Sequence, residues 1–387
     1  MIERDLAAVA QLAATQYPLV TITGPRQSGK TTLCRQVFRD HTYVTLEPLD
    51  VRRYAIEDPR GFLREHAGGA IFDEIQNAPD LASYLQQDVD DDPTPGRFIL
   101  TGSQHFGISA AISQSLAGRT AVLHLLPPSL DELRRFSSSP DGLIETLFTG
   151  AYPRIHDRRL APNRWLMDYV TTYVQRDVRQ LGGVGDLTAF TTFLRMSAGR
   201  TSAEINLQQL GADVGVSNHT ARAWLSVLEA SFIAMRLPPW FTNVLKRLVK
   251  RSRLHFLDSG LACALLGIRS ANELRHHPLR GAIFESWAVS EVYKSWVHAG
   301  RSPRLYHLRQ TRGREVDLVI DDGLTKRLVE MKSGETVVSD WLATVRALAS
   351  QISDATAHLV YGGAVGQMRS DVEVVPWREI GRLGPSD

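Results

Sequence analysis

The run GPRQSGKTT over residues 24–32 has the residue types and spacing of a loop that holds phosphate. Gly24, Pro25, Arg26, Gln27, Ser28, Gly29, Lys30 and Thr31 fit the pattern G-x-x-x-x-G-K-[ST], and Thr32 follows. Its glycines let backbone N–H groups curl round a β-phosphate, and the helix that follows points its N-terminus at the same anion. In such a loop Lys30 bridges the β- and γ-phosphates and Thr31 sets its hydroxyl on Mg2+. The pattern predicts ATP and Mg2+ as cofactors. IFDEIQ, over 71–76, ends an apolar run with adjacent acids. Asp73 is predicted to hold the Mg2+ shell and Glu74 to activate the attacking water. Ser103, in FILTGS, is the candidate γ-phosphate sensor. Arg119, in SQSLAGRT, has two readings. It is a cation closing its own helix on the dipole, or a finger reaching a neighbouring copy, and the finger needs an oligomer.

A second constellation lies in REVDLVIDDGLTKRLVEMKSG, over 314–334. Glu330 and Lys332 are two apart on a predicted strand and so share a face. Asp317 lies on the preceding strand, joined through the turn signal of 321–323. Glu285, in GAIFESW, is a further acid on a preceding helix. Asp317, Glu330 and Glu285 are predicted to bind Mg2+ through hard oxygens, with Lys332 orienting water and steadying phosphorane charge. This order of helix-Glu, strand-Asp and strand-Glu-x-Lys resembles the PD-(D/E)xK nucleases, which are restriction-endonuclease-like in fold. An inactive domain of that shape is the competing reading.

The elements that position these groups follow from hydrophobic patterning. Apolar runs over 18–24, 42–47, 69–75, 97–103 and 120–126 predict strands, with helices over 50–66, 81–88 and 108–116 between them. That alternation means a doubly wound parallel sheet covered on both faces. From 147 the pattern turns helical, and 206–240 reads as helix, Gly-Val-Ser turn, helix and apolar strand, a winged-helix pattern. A third, α/β region carries strands around 305–308, 316–320 and 328–332, then a helix and two more strands. The expected domains are therefore a core over 1–146, a helical and winged-helix part over 147–245, and a nuclease-like part over 246–387. The predicted recognition helix offers His219, Arg222 and Ser226, a weakly positive face for a DNA groove. Lys246, Arg247, Lys250, Arg251 and Arg253 are the better phosphate contacts, because clustered cations neutralise a nucleic-acid backbone. A solvated linker explains them equally well.

The chain of 387 residues carries a formal net charge of only +2, so bulk charge does not mark a nucleic-acid binder. Its two cysteines, Cys34 and Cys263, fit a reducing compartment without a disulfide framework. The N-terminus MIERDLAAVAQLAATQ has acids and no long apolar stretch, which argues against a signal peptide. No membrane span is expected, and the expected location is cytoplasmic. The motif order P-loop, FDEIQ, LTGS, SLAGR, GAYP, YVQRDV, RLHFLDSGLACALLG, FESWAVSEVYK, REVDLVI and VEMKSG resembles a prokaryotic family of AAA-type P-loop ATPases with a C-terminal nuclease-like domain of unknown function. The resemblance covers almost the whole chain. It implies ATP binding and hydrolysis and no settled biological role; a homo-oligomer and duplex or branched DNA are the candidate partners. One departure is GAYPRI, where Arg154 stands in place of an acidic or neutral residue, so Arg154 receives no role. Two functions are carried forward: an ATPase acting in DNA processing, and a nucleotide-dependent switch that governs assembly or partner binding.

Overall fold

The computed structural model describes residues 2–102, 116–173, 178, 184–240, 251–310 and 313–385. The chain divides into two compact units: Met1–Pro128 with Ala230–Phe232 and Val297–Arg301, and then Ser129–Glu229, Ile233–Trp296 and Ser302–Asp387.

In the first unit, apolar runs form a parallel sheet of β1 (Leu19–Thr23), β2 (Thr42–Thr45), β3 (Ala70–Asp73), β4 (Phe98–Gly102) and β5 (Thr120–His124), in the order β2-β3-β4-β1-β5. β1, β3 and β4 are buried at every residue. Alternate side chains serve opposite faces. Leu19, Phe72, Phe98 and Leu100 pack with Phe62 and Leu85, while Val20, Ile22, Ile71 and Ile99 pack with Leu6 and Leu33. Full burial of each such side chain contributes about 1.5–3 kcal/mol. Each strand lies inside its expected span and ends short of it. α1 (Leu6–Ala14) precedes β1, and α2 (Lys30–Val37) follows the loop after it. The helix expected over 50–66 is two helices, α3 (Leu49–Glu57) and α4 (Pro59–Glu65). Pro59 disfavours helical backbone at the residue before it, and Asp58 caps α4 by accepting from Gly61 N at 2.9 Å. α5 (Leu81–Asp91) runs past its expected end. The helix expected over 108–116 lies, apart from Leu116, outside the described residues.

The second unit begins earlier than the expected boundary at 146. Ser129 and Glu132 form a capping box on the helix Leu130–Leu133, and Leu130 N donates to buried Glu291 at 2.5 Å. These buried acids need donors, and the N-terminus of that helix supplies them. β6 (Ala234–Leu237) pairs antiparallel with β7 (Arg253–Phe256) across the expected boundary at 245. The helices Leu207–Val214 and Asn218–Ala230 are joined by a short turn with Gly215 in the left-handed region. The second buries Trp224 edge-on against Phe190 and Phe193.

A mixed sheet completes the unit: β8 (Leu305–Arg309), β9 (Glu315–Asp321), β10 (Lys326–Lys332), β11 (Ala355–Tyr361), β12 (Gln367–Arg369) and β13 (Val372–Pro376), in the order β12-β13-β11-β10-β9-β8. β9 and β10 form the expected hairpin, closed by Asp322 N donating to Thr325 O at 3.0 Å. The helix Ser339–Ala349 links β10 to β11, which run parallel. β12 is an element that patterning did not suggest. Cys34 and Cys263 are buried and unbridged. Among the described residues no helix is long and apolar enough to cross a membrane.

One polar tie joins the GAYP and LDSG segments. Asp258 caps the helix Ser259–Leu265 through Leu261 N at 2.8 Å and accepts from Ala151 N at 2.7 Å. Gly150 has φ 70°, and a side chain there would overlap the Asp258 carboxylate. Gly150→Ala is expected to lower stability by about 1–3 kcal/mol through backbone strain and this overlap. In an Asp258→Ala background the added cost should be smaller, because the residues share one contact. Chemical denaturation of the wild type, both single variants and the double variant measures this. Strictly additive losses would refute the shared contact.

Candidate functional site

The loop 24–29 leaves β1 and delivers Lys30 to the start of α2. Gly24 is required by close approach, since a Cβ there would overlap the carbonyl of Leu125 beyond β5. Gln27 stands at φ 63° without being glycine, a strained conformation of the kind found at ligand clamps. Arg4, ahead of α1, is buried and pins the loop: Nη1 donates to Ser28 O at 2.8 Å and Nη2 to Leu126 O at 2.7 Å. Gly24 and Pro25 are buried, Arg26 is half-buried, and Gln27 and Thr32 are exposed.

Lys30 is buried, with Nζ donating to Gly24 O at 3.0 Å and Pro25 O at 2.9 Å. Burial lowers its pKa to about 8, against the opposing pull of Glu74 and Asp73. A desolvated ammonium hydrogen-bonded to neutral carbonyls is suited to an incoming anion. Thr31 Oγ1 donates to Asp73 Oδ2 at 2.9 Å. Tyr43 OH donates to the same oxygen at 2.7 Å, and Thr101 Oγ1 donates to Asp73 Oδ1. Glu74 follows in the left-handed region at φ 59°, which turns its carboxylate out of the strand direction. Gln76 Nε2 donates to Glu74 Oε2. A hydroxyl and a carboxylate meeting at a strand end are hard oxygen donors, and they fit Mg2+ held jointly with phosphates. Sequence reasoning missed Arg4, Tyr43 and Thr101. Ser103, the sensor candidate, lies outside the described residues.

Arg119 is held within the chain. Its Nε lies 2.6 Å from Asp90 Oδ1, its Nη2 lies 2.8 Å from Oδ2, and its Nη1 donates to Ala117 O at 3.2 Å. A finger role would require it to leave Asp90.

In the second unit, β9 and β10 bring part of the expected set together. Met331 N donates to Asp317 Oδ2 at 2.9 Å, and Lys332 Nζ lies 2.5 Å from Glu330 Oε1. The carboxylates do not form an open cation site. Arg253 Nη1 lies 2.9 Å from Glu285 Oε1 and 3.3 Å from Asp317 Oδ1, and its Nη2 pairs with Glu315. Among the described residues no group of three His, Cys, Asp or Glu side chains is arranged to hold a metal. A guanidinium bridges two of the acids expected to share Mg2+, and Glu330 is turned to Lys332. Burial, reinforced by Asp317, pushes Glu285 up to about 8 and Glu330 up to about 7. Burial disfavours the charge on Lys332, but Asp317, Glu330 and Glu285 outweigh it and raise its pKa.

Arg253 is thereby corrected as a DNA contact: it is 6% exposed and engaged by carboxylates. Arg251 is exposed, and Lys246, Arg247 and Lys250 lie outside the described residues. His219 and Arg222 are exposed on their helix. Neither the Arg253 network nor Glu315 was legible as a unit, since its members come from β7, β9 and a distant helix.

Comparison with known proteins agrees for the first unit. Residues 16–134 match a family described as an AAA domain. Residues 140–272 and 280–380 match two domains of unknown function, DUF8612 and DUF4143. Neither description supports a nuclease-like fold, so that resemblance is not carried into the fold. Uncharacterized proteins of Mycobacterium tuberculosis and Mycobacterium bovis are each 30% identical over 390 residues, covering 99% of this chain and 86% of theirs. A Walker-type ATPase of Pyrococcus abyssi is 15% identical over 68% of this chain and 96% of its own, with a TM-score of 0.44. A RuvB variant of Thermotoga maritima is 20% identical over 60% and 87%, with a TM-score of 0.32.

Two outcomes follow from the charges. A bound triphosphate raises the pKa of Lys30 above the value of about 8 that burial gives the free protein. Binding then takes up a proton above that pH, so affinity is full below it and falls about tenfold per pH unit above it. Titration of a fluorescent ATP analogue from pH 7 to 9.5 reads this; a flat profile would contradict it. Arg253→Met leaves buried carboxylates without their cation and should cost about 3–5 kcal/mol at pH 8. The loss should shrink towards pH 5. Carboxyls with raised folded pKa values are stably neutral at low pH, and that stability is lost as pH rises through those values. Thermal unfolding across this range measures it, and a loss independent of pH would exclude the charge explanation.

Proposed function

This chain belongs to the same family as those mycobacterial proteins, and from that premise we propose that its AAA domain hydrolyses ATP with Mg2+ and acts as a nucleotide-dependent switch. The observation that carries the ATPase reading is the meeting of Thr31 with Asp73 at the end of β3, beside buried Lys30. Loop amides and Lys30 would hold the β- and γ-phosphates. Thr31 and Asp73 would hold Mg2+, which lowers the charge on the phosphate oxygens. Glu74 would take a proton from water as its oxygen attacks the γ-phosphorus and the bond to the ADP oxygen breaks.

The switch reading is favoured over cleavage by the Arg253 bridge, which already engages Glu285, Asp317 and Glu315. In it the C-terminal sheet is a recognition module, and Arg119 leaves Asp90 to act in trans when copies assemble. DNA processing is the second reading. It is favoured by the convergence of Asp317, Glu330 and Lys332 on one hairpin and by the winged-helix order of the helices Leu207–Val214 and Asn218–Ala230 followed by β6 and β7. The buried free cysteines fit a reducing, cytoplasmic setting.

Steady-state ATP hydrolysis with Mg2+ separates these readings, with Lys30→Ala as the blank. Glu74→Gln should bind ATP and lose turnover by about 100-fold or more. The mass of the protein in solution should differ between ADP and a slowly hydrolysed ATP analogue, and identical masses would count against the switch. Stimulation by duplex, single-stranded or branched DNA would move the weight to DNA processing. Wild-type turnover no higher than that of Lys30→Ala would sink the ATPase reading.

A further inference from the structure

The carboxylate of Asp73 is more tightly held than a metal-site acid requires, and one of its partners has no place in the P-loop pattern. Thr31 comes from α2, Thr101 from β4 and Tyr43 from β2. β3 lies between β2 and β4, and Thr45 pairs with Asp73 while Tyr43 pairs with Ile71. Tyr43 and Thr45 therefore share a face, and the long phenol reaches forward from two residues back to the end of β3. We propose that Tyr43 is a positioning residue for the Mg2+ of the bound nucleotide, acting through Asp73. The assignment rests on the ATP reading above.

Asp73 Oδ2 receives both the Thr31 and the Tyr43 hydroxyl, at 2.9 and 2.7 Å. Thr31 is also the residue whose oxygen would serve the metal. A hydroxyl shared in that way holds the carboxylate less firmly, and Tyr43, whose hydroxyl also meets Thr45, supplies an anchor that is not itself a candidate metal ligand. Mg2+ tolerates little departure from octahedral geometry, so an acid that swings is a poor partner for it. Partners behind a metal-binding carboxylate typically change metal affinity or activity by 10–100-fold when removed.

Tyr43 is itself held in place. The Arg35 guanidinium lies over its ring, 4.9 Å from the centroid. Arg35 is one turn beyond Thr31 on α2, so the helix that presents Thr31 also fixes the ring that anchors Asp73. Tyr43→Phe removes the hydrogen bond and keeps the ring under Arg35, so packing and metal positioning can be told apart.

The test compares affinity for a fluorescent ATP analogue in EDTA and in Mg2+, for the wild type, Tyr43→Phe and Asp73→Asn. In EDTA, Tyr43→Phe should match the wild type within about twofold. Its gain in affinity on adding Mg2+ should shrink by about 10–100-fold, approaching that of Asp73→Asn. Mn2+ uptake by the nucleotide complex, followed by electron paramagnetic resonance, should weaken by the same factor. A full Mg2+ gain in Tyr43→Phe, with the gain lost in Asp73→Asn, overturns the role of Tyr43 and leaves the ATP reading standing. A wild type that binds no nucleotide in either condition overturns the ATP reading, and this assignment falls with it. Equal weakening of Tyr43→Phe in EDTA and in Mg2+ would show a structural role only and overturn the proposal.

Discussion

A carboxylate at the end of a buried strand must have its oxygens satisfied, and the first unit is organised around meeting that demand for Asp73. Leaving such a group without partners costs several kcal/mol. The donors come from α2, β2 and β4. Each can reach the acid only if the strand order is β2-β3-β4 and α2 packs over the strand ends. The apolar faces that fix this order, with Phe72 and Phe98 on one side and Ile71 and Ile99 on the other, therefore also fix the site. Core and chemistry are one arrangement: a shifted register in β3 would exchange its buried faces and carry Asp73 away from its donors.

The second unit meets the same demand with a different solution. Glu285, Asp317 and Glu315 are gathered from a helix and β9, and their charge is compensated by Arg253 on β7. Burying such a cluster is tolerable only with a cation of fixed geometry, and the planar guanidinium fork offers one. The β6–β7 pair is thereby fastened to the C-terminal sheet. Part of the charge that would attract a metal is compensated there, and burial, with Asp317 second, raises the pKa values of Glu285 and Glu330.

How much of this was legible in the sequence differs between the units for a physical reason. The P-loop and FDEIQ are contiguous, so their chemistry is written in local order, and five strands read from apolar runs all fall where expected. Their ends were overextended because apolar character continues past the last ladder hydrogen bond. The break at Pro59 is readable from the restriction proline places on the residue before it. Tyr43 and Thr101 were not readable as partners of Asp73, because strand order decides who stands beside whom. The C-terminal hairpin was readable from its turn. Arg253 was not, since nothing in KRLVKRSRLHF separates a cation that will be buried from its exposed neighbours. Only the β6–β7 pairing turns it inward.

The contrast between the two buried cations bears on where ligand binding can be strong. Lys30 gives its hydrogen bonds to neutral carbonyls, and its lowered pKa records a charge that the fold does not fully compensate. An anion that takes those hydrogen bonds would gain a Coulombic interaction in a poorly solvated place. Arg253 is surrounded by carboxylates, and its pKa is raised despite burial. An anion arriving there would have to displace them. The same physics gives one cation an unmet need and the other a settled one. It leaves room for an anion beside Lys30 in the first unit, while the buried cation of the second is part of a charge-locked scaffold.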